Sequence, residues 1–343
     1  MTQMWVGNEV RTRINILRFA MIFGIVILHT PEYVNIVDIG SGWFDLTKAF
    51  FQSAVFRCTV PVLTCISGYL LFGSGIDADL RKLARKKVKT LLVPFLTCNA
   101  LLAALLFLLQ SHYKVPVSYQ LYPFNPGAML DAAFGLTKGP VNYPLNFIRD
   151  LLALMLLAPF LGYLLRHAAF AGLLLIAAVF WFNFDGMLVL RNEMAIMFYI
   201  GGMAAVGNWN VRRFDKYAGL CLVIFLAMCA SIVIFKVDNT TALRLVAPFL
   251  LWPTTSLLVD TRLGNWLAAR AKHSFFIFLL HAPVLLLTYA LYKRVDQYIP
   301  YALYWFIAPL VTTWSLMALH KLCMRSRSLG FSWIFGARTA RPT

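Results

Sequence analysis

The sequence has few charged residues, and it lacks a polar stretch long enough to fold as a separate soluble domain. Charged side chains make up 13% of the 343 residues, whereas 60% are hydrophobic and the mean hydropathy is +0.72. A soluble domain carries about twice that share of charge. Apolar runs of roughly 20 residues, the length that spans a bilayer as a helix, recur along the whole chain. The composition therefore predicts an all-α polytopic membrane protein, with one integral-membrane domain over residues 1–343.

Cysteine is also scarce, and its pattern excludes the usual metal motifs. The chain has six cysteines, with no C-x-x-C pair and no spacing typical of metal ligands. Five of them lie within apolar runs, at Cys58, Cys65, Cys98, Cys221 and Cys229. We interpret these as packing residues and predict no metal site.

Ten apolar runs predict a single bundle of about ten transmembrane helices. They cover approximately residues 14–30, 49–73, 91–110, 147–165, 168–183, 194–208, 217–235, 243–260, 273–292 and 301–321. With a cytoplasmic N-terminus, inner segments hold 21 of the 31 Lys and Arg residues and outer segments hold eight. This bias predicts an N-in and C-in topology. The net charge of +17 then reflects orientation rather than nucleic-acid binding. The basic tail, about 322–343, is predicted to lie on the anionic inner leaflet.

The first predicted span carries two ionisable residues, Arg18 and His29, eleven residues apart. At 100° per residue they return to one helical face after three turns, separated by roughly 16 Å along the axis. Ionisable residues within spans usually face the bundle interior or a water-filled cavity. The pair therefore predicts one wall of a polar path. A simpler interpretation stays open, in which Arg18 reaches the inner interface and His29 lies at the outer one.

Further polar residues occur at membrane depth. Arg57 lies well inside the second span, His281 lies near the middle of the ninth, and Arg149 and Asp150 open the fourth, where they can pair. A hydrogen-bonded packing role is the alternative for His281. Residues 74–90 carry six positive charges, which indicate either an inner loop or an anion site suited to nucleotide phosphates.

Five short motifs follow one another over residues 11–285. They are Arg18-(x)10-His29, "FRCTVPVLTCISGYLLF" (56–72), "RKKVKTLLVPFL" (85–96), "PLNFIRDLLALMLLAP" (144–159) and "SFFIFLLHAPVL" (274–285). At these residues the sequence resembles the membrane-bound acyltransferase 3 family, ten-span proteins that acylate glycans and other extracytoplasmic acceptors. There are three departures: Lys86-x-x-Lys89 replaces the family's R-x-x-R, Asn146 replaces a common Trp, and Phe278 replaces a Tyr. Lysine keeps the charge but loses the bidentate fork of arginine.

The resemblance implies transfer of an acyl group, usually acetyl, from cytoplasmic acetyl-CoA to a hydroxyl of an extracytoplasmic glycan. Acetyl-CoA would be a co-substrate rather than a resident cofactor. The acceptor would be an exopolysaccharide or a lipid-linked oligosaccharide, and the location the bacterial cytoplasmic (inner) membrane. The expected partners are acetyl-CoA, the glycan, the lipid bilayer and polysaccharide assembly machinery.

The resemblance also assigns roles to individual residues. We predict that His29 acts as general base, since an imidazole titrates close to neutral pH, and that Arg57 or His281 stabilises the oxyanion. An acetyl-His29 intermediate is the alternative route. Arg18, Arg85, Lys86 and Lys89 are predicted to bind the CoA moiety, and Arg149, Asp150 and Glu32 the acceptor. No carboxylate that would orient His29 is obvious from the sequence. Glu32 is the nearest, although Pro31 disturbs the geometry, and Asp150 and Glu193 are the alternatives.

Two other classes of function remain open from the sequence. A polysaccharide or glycolipid transporter or flippase would also need a polar path through many spans, but no internal repeat supports it. A non-catalytic subunit of a glycan export complex is the second, although it would leave the co-facial Arg18 and His29 without a purpose.

Overall fold

The computed structural model describes residues 7–113, 119–137, 139–184, 186, 188–191 and 193–325. Within these residues the chain is helical and contains no strand. A helical run that includes a 3₁₀ or π turn is numbered as one helix. The helices are α1 (Asn8–Leu28), α2 (Trp43–Gly73), α3 (Leu80–His112), α4 (Pro126–Phe134), α5 (Tyr143–His167), α6 (Ala169–Phe182), α7 (Glu193–Val206), α8 (Asp215–Ile234), α9 (Thr241–Thr254), α10 (Arg262–Tyr292) and α11 (Tyr301–Arg325).

Each of the ten predicted spans falls on one of these helices, in the predicted order. Within the described part of the chain, six helices are long and apolar enough to cross a membrane: α2, α3, α5, α8, α10 and α11. Helices α6 and α7 are apolar but shorter. Helix α1 has the length, but its first half carries Arg11, Arg13 and Arg18. The all-helical, multi-pass character of the chain is thus confirmed. The count of about ten and the N-in, C-in orientation stay predictions, and most of the basic tail (326–343) lies outside the described residues.

Helices α2 and α7 pack with their backbones in close contact. A Cβ atom added at Gly68 would lie 2.0 Å from the carbonyl oxygen of Phe198, and one added at Gly201 would lie 2.0 Å from that of Cys65. In lipid the hydrophobic effect does not drive helices together, so association depends on close packing through small residues. The two glycines therefore fix the position of α7 against α2.

Helix α1 lies inside the bundle, in contact with α2, α10 and α11. Its apolar side chains are buried around much of its circumference, as at Ile16, Phe19, Ile25 and Val26. Large exposed apolar side chains occur instead on the outer helices, as at Trp181. The apolar half of the helix, from Phe19 onward, is therefore enclosed by its neighbours, so that a polar group at its end faces the bundle interior.

Candidate active site at the end of α1

Helix α1 continues without a break from Arg18 to the cap residue His29. Regular helical spacing therefore places the two residues on one face, as the sequence predicts. It runs from Asn8 to Leu28, and His29 forms its C-terminal cap, with the backbone N–H of His29 donating to the carbonyl of Ile25 at 3.1 Å. Arg18 is half-buried along the helix, and His29 is half-buried at its end.

A glutamine of α2 holds the end of α1 in place. The last carbonyls of a helix have no partner within the helix. The Nε2 atom of Gln52 donates to the carbonyl of Ile27 at 2.9 Å and to that of Thr30 at 3.0 Å. The Gln52 side chain is itself buried. The carbonyls on both sides of His29 are therefore fixed by a neighbouring helix.

The chain beyond His29 is tied down as well. Lys48 donates to the carbonyl of Glu32, and the Tyr301 hydroxyl donates to the carbonyl of Pro31. Glu32 itself adopts a left-handed backbone conformation, with φ of 63°, which turns the chain sharply away from α1. His29 therefore occupies a rigid turn rather than a frayed helix end.

His29 forms a hydrogen bond with the second histidine that the sequence singled out. The Nδ1 atom of His29 lies 2.9 Å from Nε2 of His281, and the two rings stack at a centroid distance of 5.2 Å. His281 is fully buried, and its Nδ1 lies 2.8 Å from the carbonyl oxygen of Phe278. A carbonyl can only accept, so Nδ1 of His281 carries the proton.

This arrangement determines the tautomer of His29. When His281 is neutral with its proton on Nδ1, its Nε2 must accept the hydrogen bond, and Nδ1 of His29 must donate it. The lone pair of a neutral His29 is then on Nε2, the nitrogen that is not bonded to His281. The pair thus presents a basic nitrogen held in one orientation, which a general base requires.

Tyr143, at the start of α5, packs its ring edge against His29 at a centroid distance of 4.9 Å. The preceding residue, Asn142, is buried and donates from Nδ2 to the carbonyl of Leu279 on α10, at 3.0 Å. Its backbone N–H donates to the side chain of Asn99 at 3.1 Å. The turn before α5 is thereby fixed to α10 beside the histidine pair.

A cavity of about 100 Å³ opens next to the end of α1 and is lined by positive side chains. Its walls are formed by Leu28, Arg57, Thr59, Val60, Pro61, Arg191, Glu193 and Arg244. Arg57 and Arg191 are both close enough to interact electrostatically with His29. The cavity therefore lies beside the histidine pair, with Leu28 in its wall.

Arg57 reaches this cavity because α2 is not a regular α-helix. Residues Phe50–Ala54 form a π turn and Val55–Cys58 a 3₁₀ turn, before α-helix resumes at Thr59. Single π turns within helices are frequent at functional sites. The Arg57 guanidinium donates to the hydroxyl of Tyr33, in the turn after α1, and lies 5.1 Å from the centre of its ring.

Comparison with known proteins identifies the family of the chain. The family model described as "acyltransferase domain", of the acyltransferase 3 type, matches residues 11–321. The chain belongs to the acyltransferase 3 family. The acyltransferase is also 31% identical over 348 residues to the succinoglycan biosynthesis protein ExoH of Rhizobium meliloti (strain 1021). The aligned region covers 96% of this chain and 93% of that protein. No solved structure matches it.

The acyltransferase uses Arg149 and Asp150 to hold the loop before α7. Asp150 is fully buried and accepts from Arg149 at 2.8 Å and from the backbone N–H groups of Leu190 and Arg191 at 3.1 and 3.2 Å. Arg149 also donates to the carbonyl of Leu188 at 3.2 Å. The expected pairing of Arg149 with Asp150 is confirmed. Their predicted contact with the acceptor stays a prediction, since these bonds position the loop that carries Arg191.

Within the described residues the hydrogen-bond partner of the His29 ring is His281, and none of the three candidate carboxylates is bonded to it. Glu32 accepts instead from the Tyr289 hydroxyl at 2.6 Å and pairs with Lys293 at 3.1 Å. Burial alone raises the pKa of the Glu32 carboxyl, but these two partners outweigh it and hold the pKa below its usual value. Glu193 pairs with Arg244 at 2.7 Å.

The predicted CoA-binding residues fall into two places. Arg18 lies on α1, inside the bundle. Arg85, Lys86 and Lys89 lie exposed at the start of α3, on a short basic stretch that becomes the apolar helix after Leu92. None of the four lines the arginine cavity. Their contact with CoA stays a prediction.

Sequence reasoning missed two cavity residues, Arg191 and Arg244. Both belong to the eight positive residues of the predicted outer segments. The outer side of a membrane protein carries few Lys and Arg residues, so an arginine there is itself a signal of a specific role. Their proximity to Arg57 depends on how α7 and α9 pack against α2, which sequence spacing does not give.

Proposed function

We propose that this acyltransferase moves an acyl group from a cytoplasmic acyl-CoA thioester to a hydroxyl of a glycan on the outer side of the bacterial inner membrane. Family membership supports the acyl transfer. The printed name of the relative, a succinoglycan biosynthesis protein, supports a glycan as the acceptor. The observation that carries the mechanism is the hydrogen bond between His29 and His281.

In this proposal the Nε2 atom of His29 removes the proton of the acceptor hydroxyl. The hydroxyl oxygen attacks the thioester carbonyl carbon, and the carbonyl oxygen takes the negative charge of the tetrahedral intermediate. Collapse of the intermediate breaks the carbon–sulfur bond, and the imidazolium of His29 returns the proton to the sulfur of CoA. The ester and free CoA are the products, so protons and electrons balance.

His281 acts as a positioning residue in this mechanism. Its Nε2 atom accepts the hydrogen bond from Nδ1–H of His29 throughout the cycle. The imidazolium that His29 becomes after it takes the proton of the acceptor hydroxyl therefore keeps this hydrogen-bond partner. Hydrogen bonds to a charged donor are stronger than those to a neutral one, which favours the charged intermediate state. The original expectation that His281 itself binds the oxyanion is less suited to a fully buried ring with both nitrogens already bonded.

The oxyanion stabiliser in this proposal is Arg57. Its guanidinium lines the cavity beside His29, and in a site with little water a fixed positive charge stabilises a developing negative charge strongly. The hydrogen bond to Tyr33 fixes the guanidinium without neutralising it.

The donor and the acceptor enter this proposed site from opposite ends of α1. Arg18 lies roughly 16 Å from His29 along the helix, a distance of the order of the pantetheine arm of CoA. We propose that the CoA phosphates bind near Arg18 and the basic stretch of Arg85, Lys86 and Lys89. The acceptor would approach past Tyr143 and Glu32, and the exposed Tyr143 ring suits stacking on a sugar. Acetyl as the acyl group stays a prediction.

The test is label transfer by the purified full-length protein in detergent. Radiolabelled acyl-CoA is incubated with the host's own extracellular polysaccharide, from which esters have been removed by mild alkali. We expect label in the polysaccharide together with release of free CoA, and transfer slowed by about 10²- to 10⁴-fold in a folded His29→Ala variant. Transfer at the parental rate by that variant would refute the role of His29. Absence of thioester consumption by the parental protein would favour a transporter or flippase.

A further inference from the structure

The side chain of Tyr33 lies against Arg57, in the turn that follows α1. The guanidinium of Arg57 donates to the Tyr33 hydroxyl, and its central carbon lies 5.1 Å from the centre of the tyrosine ring. Tyr33 follows His29 by four residues, so one short segment carries the proposed base and the residue that contacts the proposed oxyanion stabiliser. The Tyr33 side chain is 54% exposed, so a substrate can reach it.

The contact with Arg57 leaves the hydroxyl proton of Tyr33 free. A guanidinium can only donate, so the phenolic oxygen is the acceptor in this hydrogen bond. A tyrosine hydroxyl also has a proton of its own to donate. Among the residues that the structure describes, no protein group accepts that proton. Tyr33 therefore presents an unused hydrogen-bond donor directly beside a guanidinium.

The turn that places Tyr33 has a conformational cost. Glu32 has a φ of 63°, which is unfavourable for a residue with a Cβ atom. Three side chains hold it there: its carboxylate accepts from the Tyr289 hydroxyl at 2.6 Å and pairs with Lys293 at 3.1 Å, and its carbonyl accepts from Lys48. Backbone conformations of this kind persist where the surroundings impose them, and they are concentrated at active sites. Side chains of α2 and of the end of α10 therefore impose the position of Tyr33.

The donors of Tyr33 and Arg57 lie side by side at the edge of the cavity. Arg57 lines the cavity and interacts electrostatically with His29. A guanidinium has five N–H groups, so the bond to Tyr33 leaves others for a ligand. Hydrogen bonds in a chain polarise one another, so a phenol whose oxygen accepts from a cation is a stronger donor than a free phenol. An anionic oxygen at this place can accept from both side chains.

We propose that Tyr33 is a catalytic residue, which donates the second hydrogen bond to the oxyanion beside Arg57. This inference rests on the proposed function and adds a residue to its oxyanion site. When the acceptor oxygen attacks the thioester, the carbonyl oxygen becomes negative and accepts from the O–H of Tyr33 and from an N–H of Arg57. The phenol keeps its proton, and both bonds weaken when the carbon–sulfur bond breaks and the carbonyl forms again. The two donors therefore stabilise the tetrahedral intermediate more than the substrate.

The first experiment removes only the hydroxyl. Tyr33→Phe keeps the ring beside Arg57 and is assayed as purified full-length protein by label transfer, with the acyl-CoA that the parental protein consumes fastest. Losing one donor from an enclosed oxyanion site lowers kcat by ~10²- to 10³-fold, and the half-exposed Tyr33 should contribute less, so we expect a loss of about 10- to 100-fold. The KM for each substrate should stay the same, since the bond forms only in the intermediate. Tyr298→Phe, at a 78% exposed tyrosine between α10 and α11, is the matched control and should keep the parental kcat.

Fluorinated tyrosines at position 33 distinguish donation to the oxyanion from anchoring of Arg57. Fluorine makes the phenol more acidic and changes its size little. If Tyr33 donates, kcat should fall at alkaline pH as the phenol ionises, and this fall should move to lower pH with 3-fluorotyrosine and further with 3,5-difluorotyrosine. The fall in kcat/KM at low pH belongs to His29 and should not move. The other charged groups of the surrounding elements are the same in all three proteins, so the comparison cancels their effects: Glu32, Lys48, Arg57, Asp238, Arg244 and Lys293.

Three outcomes would overturn the inference. The first is a parental kcat in Tyr33→Phe. The second is a higher KM for the polysaccharide at unchanged kcat, which would assign Tyr33 to acceptor binding. The third is a slow Tyr33→Phe variant without an alkaline fall in the fluorinated proteins, because a phenolate still accepts from Arg57 and a residue that only positions the guanidinium would keep working. In all three cases the parental protein transfers the label and the proposed function stands, whereas no transfer by the parental protein overturns the proposed function itself. Size-exclusion profiles of each variant exclude misfolding as the cause.

Discussion

The hydrogen bond between His29 and His281 predicts that the two side chains act as one catalytic unit. Replacing His281 by Leu removes the acceptor for the Nδ1 proton of His29 and keeps an apolar side chain in a fully buried position. The His29 ring can then turn or change its tautomer, which would place the proton on Nε2, the nitrogen needed as base. We expect a lower kcat with little change in the KM for acyl-CoA.

The size of the loss follows from the nature of the bond. When His29 is an imidazolium, the 2.9 Å bond to His281 has a charged donor, and such bonds contribute about 1.5–3 kcal/mol. At about 1.4 kcal/mol per factor of ten, His281→Leu should lower kcat by roughly 10- to 150-fold. Removing the base itself, in His29→Ala, should cost about 10²- to 10⁴-fold.

The assay is a double-mutant cycle on label transfer to polysaccharide, with a pH profile for each variant. Since His281 acts only through His29, the double variant should be no slower than His29→Ala alone. His281→Gln, whose amide oxygen can accept a hydrogen bond, should recover part of the rate. The fall in kcat/KM at low pH, where the base is protonated, should persist in the His281 variants and vanish with His29→Ala. Additive losses would refute the reasoning.

Four further predictions follow from other contacts. Gly201→Val should prevent stable packing of α7 on α2, seen as aggregation on size exclusion, because its Cβ would lie 2.0 Å from a backbone oxygen; a monodisperse, active variant would contradict this. Asp150→Ala should lower stability by about 1–3 kcal/mol, because buried N–H groups lose their acceptor, and thermal unfolding in detergent measures it. Reversing the charges of Lys86 and Lys89 should raise the KM for acyl-CoA by roughly tenfold without changing kcat; an unchanged KM would leave these lysines as topology signals. Glu32→Gln should melt earlier than the parental protein near neutral pH. Since the folded-state pKa of Glu32 is lowered, this difference should vanish as the pH falls through that pKa, and a constant difference would argue against it.

The positions of the helices could be predicted from the sequence because apolar runs are a local property. Each predicted span coincides with a helix, and Arg18 and His29 do lie on one unbroken helix. The internal shape of α2 was not predictable in this way. Residues 43–58 contain neither Gly nor Pro, so nothing local indicates the π turn at Phe50–Ala54. The buried contacts of Gln52 with the end of α1 stabilise it instead.

Only part of the candidate site could be predicted from the sequence. His29, Arg57 and His281 were identifiable because an ionisable side chain within an apolar span has a free-energy cost. Their relationships were not, since the partner of His29 is 252 residues away and proved to be a histidine rather than a carboxylate. Arg191 reaches the site through a loop held by Asp150, and loops carry no periodicity from which to predict their course.

The π turn in α2 separates the helix into two parts that differ in phase. A π turn accommodates one residue more than the α-helical register allows, so the stripe of side chains before Phe50 does not continue in line beyond Cys58. If the same residues closed into a regular α-helix, the part of α2 before Phe50 would rotate by about 100° relative to the part after Cys58. Gln52 and Arg57 could then no longer serve the end of α1 and the cavity together. The π turn, rather than the identity of any one residue in it, thus sets the alignment of the base with the cavity.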